Sequence, residues 1–246
     1  MSMLRYSRVL LKLSGEALAD GDEQFSHPKL TGLAQAINQT VQSGVQVAVV
    51  CGAGNIFRAR QANLGVLGRV AADQVGMLAT VMNAAVLRDY LRAEGQQARI
   101  FTPREQVPLA EAFTRDRALA LLKSGQVLLL AGGTGNPYFT TDSAAALRAL
   151  EISADGLLKG TQVDGVYDRD PHQYPDAERF EHLSYDEVLA RKLRVMDLTA
   201  ITLCAEGNLA VTVFDISDPE NLLRIVQGET LGTRITAGTT TAKEPR

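Results

Sequence analysis

The stretch Ala131-Gly132-Gly133-Thr134-Gly135-Asn136-Pro137-Tyr138-Phe139-Thr140-Thr141-Asp142 decides the fold class of this chain. A short apolar run, Val127 to Leu130, precedes it and is typical of a buried strand in a parallel sheet. Asp142 is predicted to N-cap a helix built from the alanine- and leucine-rich residues 143–150. The stretch therefore connects a strand to a helix, and α/β sheets bind ligands at such strand ends.

The same loop carries groups that suit an anionic ligand with a flat ring. Its glycines let the backbone approach a ligand closely, and its threonine and asparagine side chains offer uncharged hydrogen bonds. Tyr138 and Phe139 add flat apolar faces, and the helix N-terminus behind them adds a positive dipole end. A glycine-rich turn without a ligand is the alternative interpretation.

Composition excludes several classes of function. The 246 residues fit one large α/β domain or two small ones, and a hydrophobic content of 46% allows a sizeable core. The net charge is −3 without a basic run, so no general nucleic-acid or membrane surface is predicted. No apolar run is judged long enough to span a bilayer, and no signal peptide is recognised. Cys51 and Cys204 are interpreted as reduced core thiols of a cytoplasmic protein, and the three separated histidines predict no metal site.

Two earlier strands also end in small-residue loops. Val9 to Leu13 is an apolar strand interrupted by Lys12, and Ser14-Gly15 turns the chain immediately afterwards. A lysine in such a strand is costly to desolvate unless it meets an anion, although its ammonium could instead snorkel to water. Val45 to Cys51 is the second strand, and Gly52-Ala53-Gly54-Asn55 follows it.

Neither loop matches a common nucleotide fingerprint. The first lacks the GxxxxGK[ST] spacing of a P-loop. The second has Phe57 where a dinucleotide fingerprint needs a third small residue. Asp73, the nearest candidate for a ribose-binding acid, falls inside a predicted helix over 69–94 instead of at a strand end. A solvated acid favoured by the helix dipole is the alternative role for Asp73.

Strands and helices alternate along the whole chain, which predicts an α/β fold. The sequence favours one domain over 1–235, with lobes of roughly 1–150 and 151–235 around a continuous sheet, and a disordered tail over 236–246. The other predicted elements are helices over 28–43, 114–124, 184–193, 197–206 and 218–227, strands over 98–101 and 210–214, and an edge strand over 232–235.

In a parallel sheet the three glycine loops would converge at one edge. Phosphoryl transfer requires mainly positioning and charge neutralisation, with little covalent chemistry. Lys12 would supply a point charge, the glycine N–H groups would cradle oxygens, and Arg58 could grip a phosphate.

At this point the chain resembles the bacterial uridylate kinases of the amino acid kinase superfamily. The matching segments occur in the family's order: Leu11 to Leu18, Gly52 to Arg58, Asp73 with Gly76 to Asn83, Thr134 to Asp142, Val163 to Tyr167 and Val195 to Leu198. The resemblance implies transfer of the ATP γ-phosphoryl group to UMP in pyrimidine nucleotide biosynthesis. It further implies a three-layer αβα sandwich around a mainly parallel sheet, Mg²⁺ as MgATP, a cytoplasmic homohexamer and UTP as feedback inhibitor.

The resemblance also assigns roles to residues at matching positions. ATP would be held by Lys12, Leu13, Ser14, Gly15, Gly54, Arg58, Thr161, Tyr167 and Asp170. UMP would be held by Ala53, Asp73, Thr134, Gly135, Asn136, Pro137, Tyr138, Phe139, Thr140 and Thr141. Lys12 and Asp197 would be catalytic, with Asp197 orienting or balancing the lysine, and no residue is predicted to ligate a metal. A helix N-cap is the alternative role for Asp197, and core packing is the alternative for Tyr167.

Two departures from the family pattern leave questions open. Ala53 stands where the family often has a third glycine, and residues 20–29 do not match a segment linked to GTP activation in some members. Acetylglutamate or aspartate kinases of the same superfamily, and a non-catalytic nucleotide sensor on the same fold, are the competing interpretations. Retention of Lys12 and Asp197 weighs against the sensor.

Overall fold

A computed structural model describes residues 4–57, 66–106, 108–171, 173–193, 195–238 and 241–242. The strands are β1 Arg8–Leu13, β2 Gln46–Cys51, β3 Ala98–Thr102, β4 Glu111–Ala112, β5 Val127–Leu130, β6 Gly156–Thr161, β7 Phe180–Ser184, β8 Ala210–Asp215, β9 Thr233–Thr236 and β10 Thr241–Ala242. The helices are α1 His27–Gln42, α2 Arg69–Ala93, α3 Arg115–Lys123, α4 Thr141–Glu151, α5 Tyr185–Ala190, α6 Leu198–Glu206 and α7 Glu220–Val226, and a 3-10 helix covers Gly15–Leu18.

The strands form one ten-stranded sheet in the order β10-β7-β9-β8-β6-β1-β2-β5-β3-β4. Every neighbouring pair in this order is parallel except β8–β9 and β10–β7. The central strand β1 aligns Leu13 with Cys51 of β2 on one side and with Gly160 of β6 on the other. The carboxyl ends of these strands therefore meet at one edge, as the sequence predicted.

Helices cover both faces of the sheet and give a three-layer architecture. One buried cluster combines α1, α2 and α7 with residues such as Leu11 and Val49 of the sheet. The other combines α3, α4, α5 and α6 with residues such as Leu10 and Val50. The side-chain alternation of β1 places Lys12 on the same face as Leu10, which is the face that α4 covers.

Several local predictions were wrong in detail. Helix α4 is N-capped by Thr140, whose hydroxyl accepts hydrogen bonds from the N–H groups of Asp142 and Ser143, because the Asp142 side chain is engaged elsewhere. Strand β9 is not an edge strand, since it lies between β7 and β8. Helix α5 ends at Ala190 instead of continuing to residue 193.

The polar segments of the sequence contain strands that the pattern did not indicate. Strands β4 and β7 are not among the elements that the sequence predicted. Thr241–Ala242 pair with β7 inside the segment predicted as a disordered tail. The remaining residues of that tail beyond Gly238 lie outside the described part of the chain.

The expectation that no segment is long and apolar enough to span a membrane does not hold for helix α2. Its 25 residues are long and apolar enough by length and composition to do so, and 39% of its most apolar window is buried within the described chain. The helix packs against α1, β3 and the rest of its layer, as the core helix of a folded domain does.

Candidate active site

The loops after β1 and β2 are in direct contact. The Gly52 N–H donates to the Leu13 carbonyl at 2.8 Å. A Cβ atom at Gly15 would collide with the Asn55 side chain and with the backbone nitrogen of Gly54, so glycine is required for this approach. Asn83, fully buried in α2, donates to the Gly52 carbonyl at 2.7 Å and fixes the second loop from behind.

A buried charge centre lies between α4 and the ends of β1 and β6. The Asp142 carboxylate contacts Lys12 Nζ at 2.8 Å through Oδ1 and Lys159 Nζ at 2.9 Å through Oδ2. The three side chains are only 10%, 13% and 14% exposed for Lys12, Lys159 and Asp142 respectively. Lys12 therefore meets an anion inside the protein and does not snorkel to water.

The three charges sum to one positive charge. Burial by itself raises the pKa of Asp142, but the charges of Lys12 and Lys159 outweigh it and the net pKa lies below the usual value. Burial lowers the pKa of Lys159, and the Asp142 carboxylate only partly offsets this effect. The Asp197 carboxylate also acts on Lys159 and raises its pKa, so its negative charge offsets this excess of positive charge, and the two ammonium groups are the cations available to an anionic group arriving from solvent.

Asp197 has two structural roles beside this centre. It N-caps α6 by accepting the Ala200 N–H at 3.0 Å, and it accepts hydroxyl hydrogen bonds from Thr140 and, at 2.9 Å, from Ser143. It forms no ion pair with Lys12, whose partner among the described residues is Asp142. The predicted role of Asp197 in orienting or balancing Lys12 stays a prediction, since the described residues show no direct contact between the two side chains.

A first cavity, of about 160 Å³, lies between the second glycine loop, α2 and the loop after β5; we call it the acceptor cavity. Six residues predicted to hold UMP line it, together with Phe57, Gly76, Met77, Thr80 and Gly133. These six are Ala53, Asp73, Asn136, Phe139, Thr140 and Thr141. The remaining predicted residues of that set, Thr134, Gly135, Pro137 and Tyr138, belong to the same loop but do not line the cavity.

Asp73 is tied to the rim of the acceptor cavity. Its Oδ2 accepts the Tyr138 N–H at 2.8 Å and pairs with Arg69 Nε at 2.7 Å. The Arg69 guanidinium also lies 5.1 Å from the centre of the Tyr138 ring. Tyr138 has a φ of 73°, a conformation that is strained for this residue type, and these contacts hold it there.

A second cavity, of about 640 Å³, lies beyond β6 and contains Thr161, Tyr167 and Asp170; we call it the donor cavity. These are the residues predicted to hold the adenosine side of ATP. Tyr167 is partly exposed and donates its hydroxyl hydrogen bond to Asp164 at 2.7 Å, so it is not a core residue. Burial, followed by the hydrogen bond and charge of Asp164, raises the pKa of Tyr167 to about 12, which keeps the phenol protonated.

A third space, of about 630 Å³, connects the two; we call it the central cavity. It shares Thr140 and Thr141 with the acceptor cavity and Lys159 with the donor cavity. Asp142 and Asp197 also line it. The buried charge centre is therefore placed between two binding spaces.

Some predicted residues lie outside these cavities. Lys12 does not line the central cavity itself but contacts Asp142, which does. Leu13, Ser14, Gly15 and Gly54 line none of the three cavities. Arg58 lies outside the described residues. The described part of the chain contains no group of three or more histidine, cysteine or acidic side chains that could hold a metal ion.

Sequence reasoning missed Lys159 and the charged role of Asp142. Lys159 follows two leucines as Lys12 does, since Leu157-Leu158-Lys159 repeats Leu10-Leu11-Lys12. That repeated pattern was the available signal. The ion pairs of both lysines with Asp142 could not be predicted from the sequence, because they depend on the parallel alignment of β1 with β6.

Comparison with known proteins agrees with this architecture. Residues 7–215 match the model of the amino acid kinase family, and the chain belongs to that family. It is 50% identical over 232 residues to a uridylate kinase of Ectopseudomonas mendocina, covering 94% of each chain, and 49% identical over 235 residues to one of Pseudomonas paraeruginosa, covering 95% of this chain and 96% of the relative. The crystal structure of UMP kinase from Bacillus anthracis superposes with a TM-score of 0.94 at 36% identity, covering 97% of this chain and 99% of that one. The predicted fold class and family resemblance are confirmed.

Proposed function

We propose that this chain transfers the γ-phosphoryl group of ATP to UMP and produces UDP. The observation that carries the proposal is the buried centre of Lys12, Asp142 and Lys159 between the acceptor and donor cavities. The similarity to uridylate kinases over nearly the whole chain supports the choice of acceptor.

The proposed mechanism needs charge neutralisation and alignment more than proton transfer. The attacking oxygen of a nucleoside monophosphate is already ionised near neutral pH, so no general base has to activate it. Lys12 and Lys159 stabilise the charge that spreads over the transferred phosphoryl group, and Asp142 holds both ammonium groups in place. Thr140 and Thr141, shared by two cavities, align the acceptor with the centre.

Each substrate has a cavity whose residues fit its chemistry. The acceptor cavity offers Asp73 to ribose hydroxyls and uncharged groups such as Asn136 to a uracil ring. The donor cavity offers Tyr167, Thr161 and Asp170 to the adenosine side. Mg²⁺ enters as part of the MgATP substrate, held chiefly by the phosphates, as is usual for this small cation.

We also include three further features of the family in the proposal: a homohexamer, feedback inhibition by UTP and a cytoplasmic location. The assembly is supported by exposed apolar side chains on α2, among them Leu78 and Met82. Inhibition by UTP follows from the family resemblance alone. Activation by GTP stays open, because residues 20–29 depart from the family segment.

An acceptor panel tests the proposal. ADP release is measured with UMP, CMP, acetylglutamate, aspartate and carbamate under identical conditions. We expect turnover with UMP to exceed that with each of the others by at least about tenfold, which corresponds to about 1.4 kcal/mol of discrimination. Preference for acetylglutamate or aspartate would assign the chain to another activity of the superfamily, and no turnover with any acceptor would favour a nucleotide sensor.

A further inference from the structure

We propose that Lys192 is a further donor-binding residue, whose ammonium contacts the polyphosphate of the nucleoside triphosphate. This inference deepens the proposed function and rests on it. It starts from the place where Lys192 lies, at the junction of the donor and central cavities just beyond the end of α5.

Two of the residues at the junction between the two cavities are lysines. Four residues line both spaces, and two of them, Lys159 and Lys192, are positively charged while Leu193 and Val195 are apolar. Each acidic residue lines only one of the two spaces, and Asp142 contacts the junction through its 2.9 Å ion pair with Lys159. Asp142 and Asp197 line the central cavity, and Asp168 and Asp170 line the donor cavity. A polyphosphate that extends from the donor cavity to the charge centre must cross this junction.

Of the two lysines at the junction, Lys192 is the one whose ammonium is not already paired within the described part of the chain and can bind a polyphosphate. Lys159 is already paired with Asp142 and also donates to the Val195 carbonyl. The ammonium of Lys192 has no hydrogen-bond or ion-pair partner among the residues that the structure describes. An exposed lysine commonly has only water as a partner, so its charge alone does not mark it as functional.

The backbone of Lys192 provides a second, independent observation. Its φ is 53°, in the left-handed region, and its N–H donates to the Leu189 carbonyl at 3.2 Å to close the end of α5. Glycine and asparagine are the residues that favour this position after a helix. A lysine there is conformationally disfavoured, and such strain concentrates at functional sites.

The residue at the equivalent position after α6 allows a comparison with Lys192. Asn208 follows α6 with a φ of 48°, and its N–H closes the helix by donating to the Ala205 carbonyl at 3.2 Å. Asn208 lines none of the three cavities. The same backbone position therefore carries a favoured residue at α6 and a disfavoured, charged residue at α5, where the cavities meet.

Calorimetric binding without any acceptor tests the proposal. The dissociation constants of MgATP and of AMP are measured for the wild type, Lys192→Asn and Lys192→Arg, and thermal midpoints are recorded for each. We expect Lys192→Asn to weaken MgATP about tenfold, equivalent to about 1.4 kcal/mol, with AMP affinity unchanged. Its thermal midpoint should stay equal or rise, because asparagine accepts the left-handed conformation. Lys192→Arg should keep MgATP affinity within about threefold, since the charge is retained.

Asn208→Lys is the matched control. It places a lysine in the same backbone conformation away from the cavities, so it should lower the thermal midpoint and leave both affinities unchanged. An equal loss of MgATP and AMP affinity in Lys192→Asn would overturn the proposal, because it would indicate a general disturbance of the donor cavity. Unchanged MgATP affinity would overturn it as well. A wild type that binds MgATP but prefers another acceptor would contradict the proposed function and leave the role of Lys192 standing.

Discussion

At the scale of single residues, we expect turnover to depend most on Lys12. Its ammonium is fixed by Asp142 at 2.8 Å. We expect Lys12→Ala to lower kcat by roughly 10²–10³, or about 2.7–4 kcal/mol, because one charge that stabilises the transition state is lost. The protein should still fold, since Lys159 continues to pair with Asp142 at 2.9 Å. Steady-state kinetics and a thermal melt measure both effects.

Lys123→Ala is the control for this change, because Lys123 is an exposed lysine at the end of α3. It should turn over as the wild type does. A folded Lys12→Ala protein with near-normal kcat would remove Lys12 from the mechanism.

Lys159 predicts the behaviour of the reaction at alkaline pH. Burial lowers its pKa, so its ammonium loses the proton at a lower pH than an ordinary lysine does. If the reaction requires the protonated form of Lys159, kcat should decline as the pH rises. The decline should begin at a pH below the usual lysine pKa of about 10.4. Lys159→Arg keeps a charge at any accessible pH and should shift that decline upward. Identical dependence of kcat on alkaline pH in the two proteins would show that Lys159 does not cause the decline.

Asp73 predicts how the acceptor sugar is recognised. Its contacts with Arg69 and Tyr138 are both made through Oδ2, and the side chain lines the acceptor cavity. A hydrogen bond from a ribose hydroxyl to a carboxylate is worth about 1.5–3 kcal/mol. UMP should therefore exceed dUMP by about 10–100-fold in kcat/KM. Asp73→Asn should narrow this ratio, because an amide oxygen is a weaker, uncharged acceptor.

Asp89→Asn provides the matched control, since Asp89 lies on the same helix and is 63% exposed. The ratio of UMP to dUMP should not change in this variant. Equal use of the two acceptors by the wild type, or an unaltered ratio in Asp73→Asn, would return Asp73 to a purely structural role at the rim.

At the scale of elements, α2 predicts a subunit interface. Val75, Leu78 and Met82 are spaced along one side of the helix and are 38%, 55% and 54% exposed. Burial of such a stripe against a second copy would remove apolar surface from water. We expect light scattering at micromolar concentration to give a mass above that of one chain, and the double change Leu78→Glu with Met82→Glu to reduce it.

Val66→Glu is the control for charge alone, because Val66 is 99% exposed and precedes the helix. It should leave the assembly intact. A wild type with the mass of a single chain would contradict both the interface and the proposed hexamer.

Elements with strong local signals were predictable from the sequence. The apolar run of β5, the N-cap position of Asp197 and the start of α5 at Ser184 were found where the pattern placed them. The Ser184 hydroxyl caps α5 by accepting the Glu187 N–H at 3.0 Å. The N-cap of α4 was misplaced because Thr140 and Asp142 are both good capping residues. Only the tertiary pairing of Asp142 with two lysines decides between them.

Elements without a local signal were not predictable. Strand β7 is formed by Phe180–Ser184, which includes Glu181 and His182 and has no clean alternation of polar and apolar residues. Its position is fixed by the parallel partner β9, which lies about fifty residues further along the chain. The location of β9 between β7 and β8 follows from the same long-range pairing.

At the scale of the whole molecule, the site is a product of topology. The parallel order β6-β1-β2-β5 brings the ends of four strands to one edge, and α4 then directs Asp142 between Lys12 and Lys159. The sequence predicted this convergence of loops and, through the family resemblance, six residues that line the acceptor cavity and three that line the donor cavity. It did not show the charge centre, because Lys12 and Lys159 lie far apart in the chain.

The most direct test of this account is the fate of the transferred phosphoryl group. The wild type is incubated with ATP labelled at the γ-phosphorus, Mg²⁺ and UMP, and the labelled products are separated. We predict that the label appears in UDP in an amount equal to the ADP formed, and that Lys12→Ala slows this transfer without redirecting it. Label released as inorganic phosphate at the wild-type rate, or ADP formation that does not depend on UMP, would contradict the account.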